Sequence, residues 1–175
     1  MFLRVELCDG DDEITGGDGA DILLGGLGSD RLVGGWGDDI LVSDQTAYES
    51  DESLNKLPEI MGLTAIQAEW LSGKDYFERL GNITGDSPRL DRLNSNYYLS
   101  FGLTVWDDGQ EDKLTGSRGK DRFLLSGDDL AVDIGDSTIA LALLCIQFKD
   151  PFDDIYTCGF HLIESYLGEK LFCLE

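Results

Sequence analysis

The chain is 175 residues long and carries 35 acidic against 13 basic side chains, a net charge of −22 with a pI near 4.1. That balance argues against nucleic acid as a partner and favours divalent cations, because unneutralised like charge opposes compaction. No run of about 18 apolar residues is present to span a bilayer, and Met1–Leu7 is not a secretory signal of the charged-then-apolar kind.

The first predicted element runs from Leu7 to Val42 and reads LCDGDDEIT GGDGADILL GGLGSDRLV GGWGDDILV, four nine-residue units in register. The fourth position is always glycine (Gly10, Gly19, Gly28, Gly37) and the sixth always aspartate (Asp12, Asp21, Asp30, Asp39). The eighth is a branched aliphatic (Ile14, Leu23, Leu32, Leu41). A fixed period of this kind sets the architecture before any local propensity does. Each unit divides into a six-residue turn and a three-residue strand. Glycine allows the turn positive φ and close backbone approach, and the aspartate adds a carboxylate to the turn's carbonyl oxygens. A hard cation such as calcium takes six to eight such oxygens. A Gly/Asp-rich linker, by contrast, has no use for a periodic aliphatic.

If two units make one turn of a coil, loops of the first and third units stack on one edge, and loops of the second and fourth on the other. Asp12 and Asp30 then share one ion and Asp21 and Asp39 another. The eighth-position aliphatics form the interior row. Glu13 and Arg31 become stacked opposite charges, of little energetic weight, whereas Ile22, Leu24, Ile40 and Val42 form an apolar face that needs a cover.

These nonads resemble the G-G-x-G-x-D-x-U-x repeats of RTX (haemolysin-type) calcium-binding proteins. The resemblance implies a parallel β-roll with Ca2+ in its turns, a module of secreted or cell-surface bacterial proteins exported by a C-terminal signal. Carried over by position, Asp12, Asp21, Asp30 and Asp39 supply the metal carboxylates. Gly10, Gly17, Gly19, Gly26, Gly28, Gly35 and Gly37 supply carbonyls. The first unit departs from the pattern, with Leu7 and Cys8 where Gly-Gly is expected.

Residues 43–104 break the period and read as a helical insertion. Pro58 opens a helix near Glu59. Thr64–Gln67 and Asp75–Glu78 each read as a capping box. Ile66, Trp70 and Leu71 fall on one helix face, and Phe77, Leu80 and Ile83 on another. These helices are expected to cover the Ile22/Ile40 face. Lys74, Asp75, Tyr76, Tyr97 and Tyr98 read as core and solvated surface more readily than as a ligand surface.

Residues 105–133 return to the repeat in degenerate form, continuing or capping the coil. Asp112 and Leu114 stand in the D-x-U relation, as do Asp121 and Phe123, and a third unit near Asp129 is one residue short. One site, shared by Asp112 and Asp129, or a metal-free cap strand of the same shape, is expected here. The order of nonads, insertion and Asp-Asp-Gly-x-x-Asp-x-Leu-Thr-Gly resembles the C-terminal ends of very large bacterial RTX-containing surface proteins, over residues 7–133. Residues 134–175 form a tail without a recognisable motif, its apolar run Ile139–Phe148 suiting a buried strand or short helix and its remainder an irregular cap.

The four cysteines are scattered without a C-x-x-C pair; Cys145, Cys158 and Cys173 offer a disulfide if the chain is exported, and free thiols are the simpler reading. His161 is the single histidine, and neither H-E-x-x-H, G-x-S-x-G nor a phosphate-binding loop occurs. No catalytic residue is assigned. The expected fold is thus mainly β, a calcium-binding roll with a small helical insertion. The expected function is non-catalytic calcium binding outside the cell. The alternatives are an accessory module of a secreted hydrolase, whose remainder would be the partner, and an adhesion protein stiffened by calcium that meets a cell-surface partner.

Overall fold

The computed structural model describes residues 4–6, 9–48, 57–86, 89–127, 129–133, 143–149 and 156–162. Its first strands are β1 (Arg4–Glu6), β2 (Glu13–Asp18), β3 (Ile22–Leu24), β4 (Arg31–Trp36) and β5 (Ile40–Val42). There follow β6 (Gln45–Thr46), the helices α1 (Leu57–Trp70) and α2 (Tyr76–Thr84), and β7 (Val105–Trp106). The last are β8 (Lys113–Arg118), β9 (Arg122–Ser126), β10 (Leu130–Asp133), β11 (Leu143–Lys149) and β12 (Tyr156–Leu162). The fold is mainly β with two helices among the described residues.

Consecutive repeat strands alternate between two sheets. One has the order β1-β3-β5-β9-β11-β12, the other β10-β8-β4-β2. Pairing within the repeats is parallel and in the register of the nonads: Ile14 lies beside Leu32, and Leu23 beside Leu41. The register then jumps the insertion without slipping, since Leu32 lies beside Leu114 and Leu41 beside Phe123. The strands of the degenerate units therefore join the same two sheets as those of the repeats. In the last of them the partner of Leu114 is Ala131, one residue closer than the period requires.

Ile14, Leu23, Leu32, Leu41, Leu114, Phe123 and Leu125 make one buried cluster between the sheets. Each fully buried aliphatic of this kind contributes roughly 1.5–3 kcal/mol. Glu13 and Arg31 pair on the solvent side. The strands of the second sheet are longer than three residues. β2, β4 and β8 each run on through the next unit's opening pair, because the turns stack closely enough to continue the ladder at Gly17, Gly35 and Ser117.

The insertion covers the other face of the first sheet. Ile22, Leu24, Ile40, Val42 and Leu124 share a cluster with Tyr48, Leu63, Ile66, Trp70, Tyr76, Leu80, Ile83, Leu99 and Val105. Asp75 caps α2, accepting from the Glu78 N–H at 2.9 Å, and Gly85 ends it with φ 82°. Thr64 does not cap a helix: it lies inside α1, where its hydroxyl donates to the Ile60 carbonyl at 2.6 Å. Leu71 and Phe77 are exposed, and Tyr76 takes the core position four residues before Leu80. The cause is the break at residues 71–75, which resets the helical phase. Trp70 locks the insertion to the coil, its indole N–H donating to the Asp38 carbonyl at 2.8 Å while Arg79 stacks on its ring and pairs with the Asp38 carboxylate at 2.8 Å.

Of the tail, β11 extends the first sheet parallel to β9, and β12 pairs antiparallel with β11. This part of the tail is regular rather than irregular. Cys145 stands opposite Phe160 and Cys158 opposite Gln147, whereas Cys8 and Cys173 lie outside the described residues. No helix among the described residues is long and apolar enough to cross a membrane.

Candidate metal centre

Parallel pairing of the repeat strands places each aspartate beside its equivalent in the neighbouring unit of the same sheet. On one edge the Asp12 N–H donates to Asp30 Oδ1 at 2.8 Å, the Asp30 N–H to Asp112 Oδ1 at 2.6 Å, and the Asp112 N–H to Asp129 Oδ1 at 3.0 Å. On the other, the Asp21 N–H donates to Asp39 Oδ1 at 2.8 Å and the Asp39 N–H to Asp121 Oδ1 at 2.9 Å. The carboxylates thus form two columns. Asp12 with Asp30, Asp21 with Asp39, and Asp112 with Asp129 are neighbours within them. Asp121 belongs to the second column and was not among the expected ligands; its D-x-Phe context was the available signal.

Glycines make the columns possible. Gly10, Gly17, Gly19, Gly26, Gly28, Gly35 and Gly37 all have positive φ. At Gly37 the requirement is double, since φ is 134° and a Cβ would overlap the Gly19 carbonyl oxygen of the adjacent turn. The first glycine of each Gly-Gly pair serves a different purpose. A Cβ on Gly25 or Gly34 would stand 2.5 Å from Oδ2 of Asp30 or Asp39, and one on Gly116 would likewise overlap Oδ2 of Asp121.

Those Oδ2 atoms are the feature that bears on the chemistry. In Asp30, Asp39, Asp112 and Asp121, Oδ1 is occupied by a backbone N–H while Oδ2 is buried without a hydrogen-bond partner. A buried polar atom without a partner is costly, and a buried unpaired charge more so. The carboxyls register this. Burial, and then the charges of Asp121, Asp21 and Asp38, push Asp39 up to about 8 against the pull of the Asp21 N–H. Burial with Asp129 and Asp30 pushes Asp112 up to about 8, and burial with Asp38 pushes Asp121 up to about 6. Asp30 and Asp129 are raised chiefly by burial as well.

Stacked rows of inward carboxylates with orphaned oxygens, held by glycine turns, fit a hard divalent cation. Such an ion supplies the positive charge that lets these carboxylates stay ionised while buried.

The residues outside the repeats are engaged otherwise. Burial would raise the Glu69 carboxyl, but the Leu93 N–H, Lys74 and Asn82 outweigh it and hold it below the usual range. Tyr76 is buried, and Tyr97 packs edge-on against Tyr48. A groove of about 610 Å³ beside the start of α2 is lined by Asp75, Tyr76, Phe77, Glu78, Arg89 and Lys120; Arg89 and Glu78 pair within it.

Neither a curated protein nor a solved structure matches the chain. Over residues 9–41 the chain matches the RTX calcium-binding nonapeptide repeat family (HemolysinCabind), in four copies, a repeat that binds calcium.

Proposed function

We propose that the chain is a non-catalytic calcium-binding module whose two sheets form a parallel β-roll that folds or stiffens on binding Ca2+ outside the cell. Residues 7–42 and 105–133 make the roll, and 43–104 are an insertion that covers one face. Asp12, Asp30, Asp112 and Asp129 serve one edge and Asp21, Asp39 and Asp121 the other, with carbonyls from the turn glycines. The observation that carries this reading is the row of buried Oδ2 atoms of Asp30, Asp39, Asp112 and Asp121 without hydrogen-bond partners.

A calcium titration of the purified chain, followed by circular dichroism and calorimetry with magnesium as control, tests it. The expected result is a cooperative gain of β-structure with calcium, lost in the double variant Asp21→Ala/Asp39→Ala. Absence of both heat and spectral change at millimolar calcium overturns the metal role.

A further inference from the structure

The insertion leaves and re-enters the coil through a narrow neck. β6 and β7 pair antiparallel there, with Asp44 just before β6 and Asp107 and Asp108 just after β7. One carboxylate oxygen from each of Asp44, Asp112 and Asp129 lies within 4.8 Å of the other two, and Asp44, Asp107 and Asp108 make a second such group. Asp44 and Asp112 are completely buried and Asp129 is 7% exposed.

Each side chain is held in place. Asp44 accepts from the hydroxyls of Ser43 at 2.9 Å and Ser126 at 2.6 Å. Asp129 accepts from the N–H groups of Asp112 at 3.0 Å and Ser126 at 2.9 Å. Asp112 accepts from the Asp30 N–H through Oδ1, while its Oδ2 is buried without a hydrogen-bond partner. Among the described residues no Lys, Arg or His pairs with any of the three. Three mutually close buried carboxylates need a positive charge, and an all-oxygen donor set selects a hard cation over a thiophilic one.

We propose that Asp44, Asp112 and Asp129 hold a calcium-like divalent cation at the neck of the insertion. This site differs from those of the repeats because Asp44 lies outside the nine-residue period. Its ion ties the insertion's exit to the turn that receives its return. The proposal rests on reading the Asp12–Asp129 edge as cation-binding, and it adds a role: calcium fixes the insertion on the coil as well as the coil itself.

The test uses the full chain as wild type, D44N and D39N. Ion stoichiometry is read by calcium calorimetry and terbium luminescence, and unfolding temperature is read in chelator and in calcium. The amide of D44N can keep the Ser43 and Ser126 contacts and removes one buried negative charge. D44N should therefore bind one ion fewer, or one ion at least about tenfold more weakly. In chelator it should unfold at the wild-type temperature or above, gain less from calcium, and be cut faster by protease within the insertion in calcium. Unchanged stoichiometry and affinity in D44N, with an ion lost in D39N, overturn the neck site alone. Equal destabilisation of D44N in chelator and in calcium also overturns it, by showing Asp44 to be a structural acceptor only. A wild-type chain that takes up no ion overturns this proposal together with the function above.

Discussion

Replacing Asp39 by Asn should flatten the chain's response to pH. Without calcium, the Asp39 carboxyl in the folded chain keeps its proton up to about pH 8, whereas in the unfolded chain it titrates near 3.8. Between those values the folded state binds one proton more. Its stability is therefore fully present below the unfolded value and is lost as pH rises, by about 1.4 kcal/mol per pH unit. Over the whole window the loss is at most about 6 kcal/mol, which solvent entry and local relaxation reduce to roughly 2–3 kcal/mol. That is a large share of a small domain's stability. Denaturant unfolding in chelator, from about pH 4 to about pH 8, measures it. D39N should match wild type at the acid end and exceed it by roughly 2–3 kcal/mol at the alkaline end. In saturating calcium the order should reverse, wild type being the more stable at alkaline pH. Parallel pH curves for the two proteins in chelator would refute the reasoning, because Asp39 would then carry no excess proton.

Three further outcomes follow from the geometry. Ser117 has φ 78° at the position that is Gly17 and Gly35 in the turns beside it, so Ser117→Gly should stabilise by about 1 kcal/mol, read as a rise in unfolding temperature. Gly37→Ala combines a left-handed backbone with overlap of the Gly19 carbonyl, and should cost at least about 3 kcal/mol and weaken calcium uptake on that edge. Trp70→Ala removes a fully buried ring and its hydrogen bond to Asp38, and should cost about 3–5 kcal/mol while loosening the insertion in hydrogen exchange.

What could be read in advance was whatever repeats. Asp12 meets Asp30 and Asp21 meets Asp39 across 18 residues, the length of two nonads, so their proximity needed only the period. The apolar alternation at Ile22 and Ile40 likewise demanded a cover, and the Asp75 cap declared itself through its spacing to Glu78. Asp121 was legible but underrated, since Phe123 replaces the aliphatic that marks the other units. Asp44 was not legible at all: nothing in its neighbourhood repeats, and only the folded neck brings it to Asp112 and Asp129. Thr64 misled because a Thr-x-x-Gln spacing arises inside a helix as readily as at its start. The phase of α2 depended on where the preceding turn ended, which no local pattern specifies.

The splice at the neck also bears on the order of folding. β2 finds β4 across 18 residues, but Asp30 and Asp39 meet Asp112 and Asp121 only across 82. Closing the longer span costs about 1.3 kcal/mol more in chain entropy, before the neck adds anything in return. Contacts of such separation form late. On that ground β2 to β5 are expected to pair first, offering β4 and β5 as templates. The short β6–β7 ladder brings the two ends of the insertion together, so the docking of β8 and β9 is expected to follow the folding of the insertion, an order that hydrogen exchange during refolding would read.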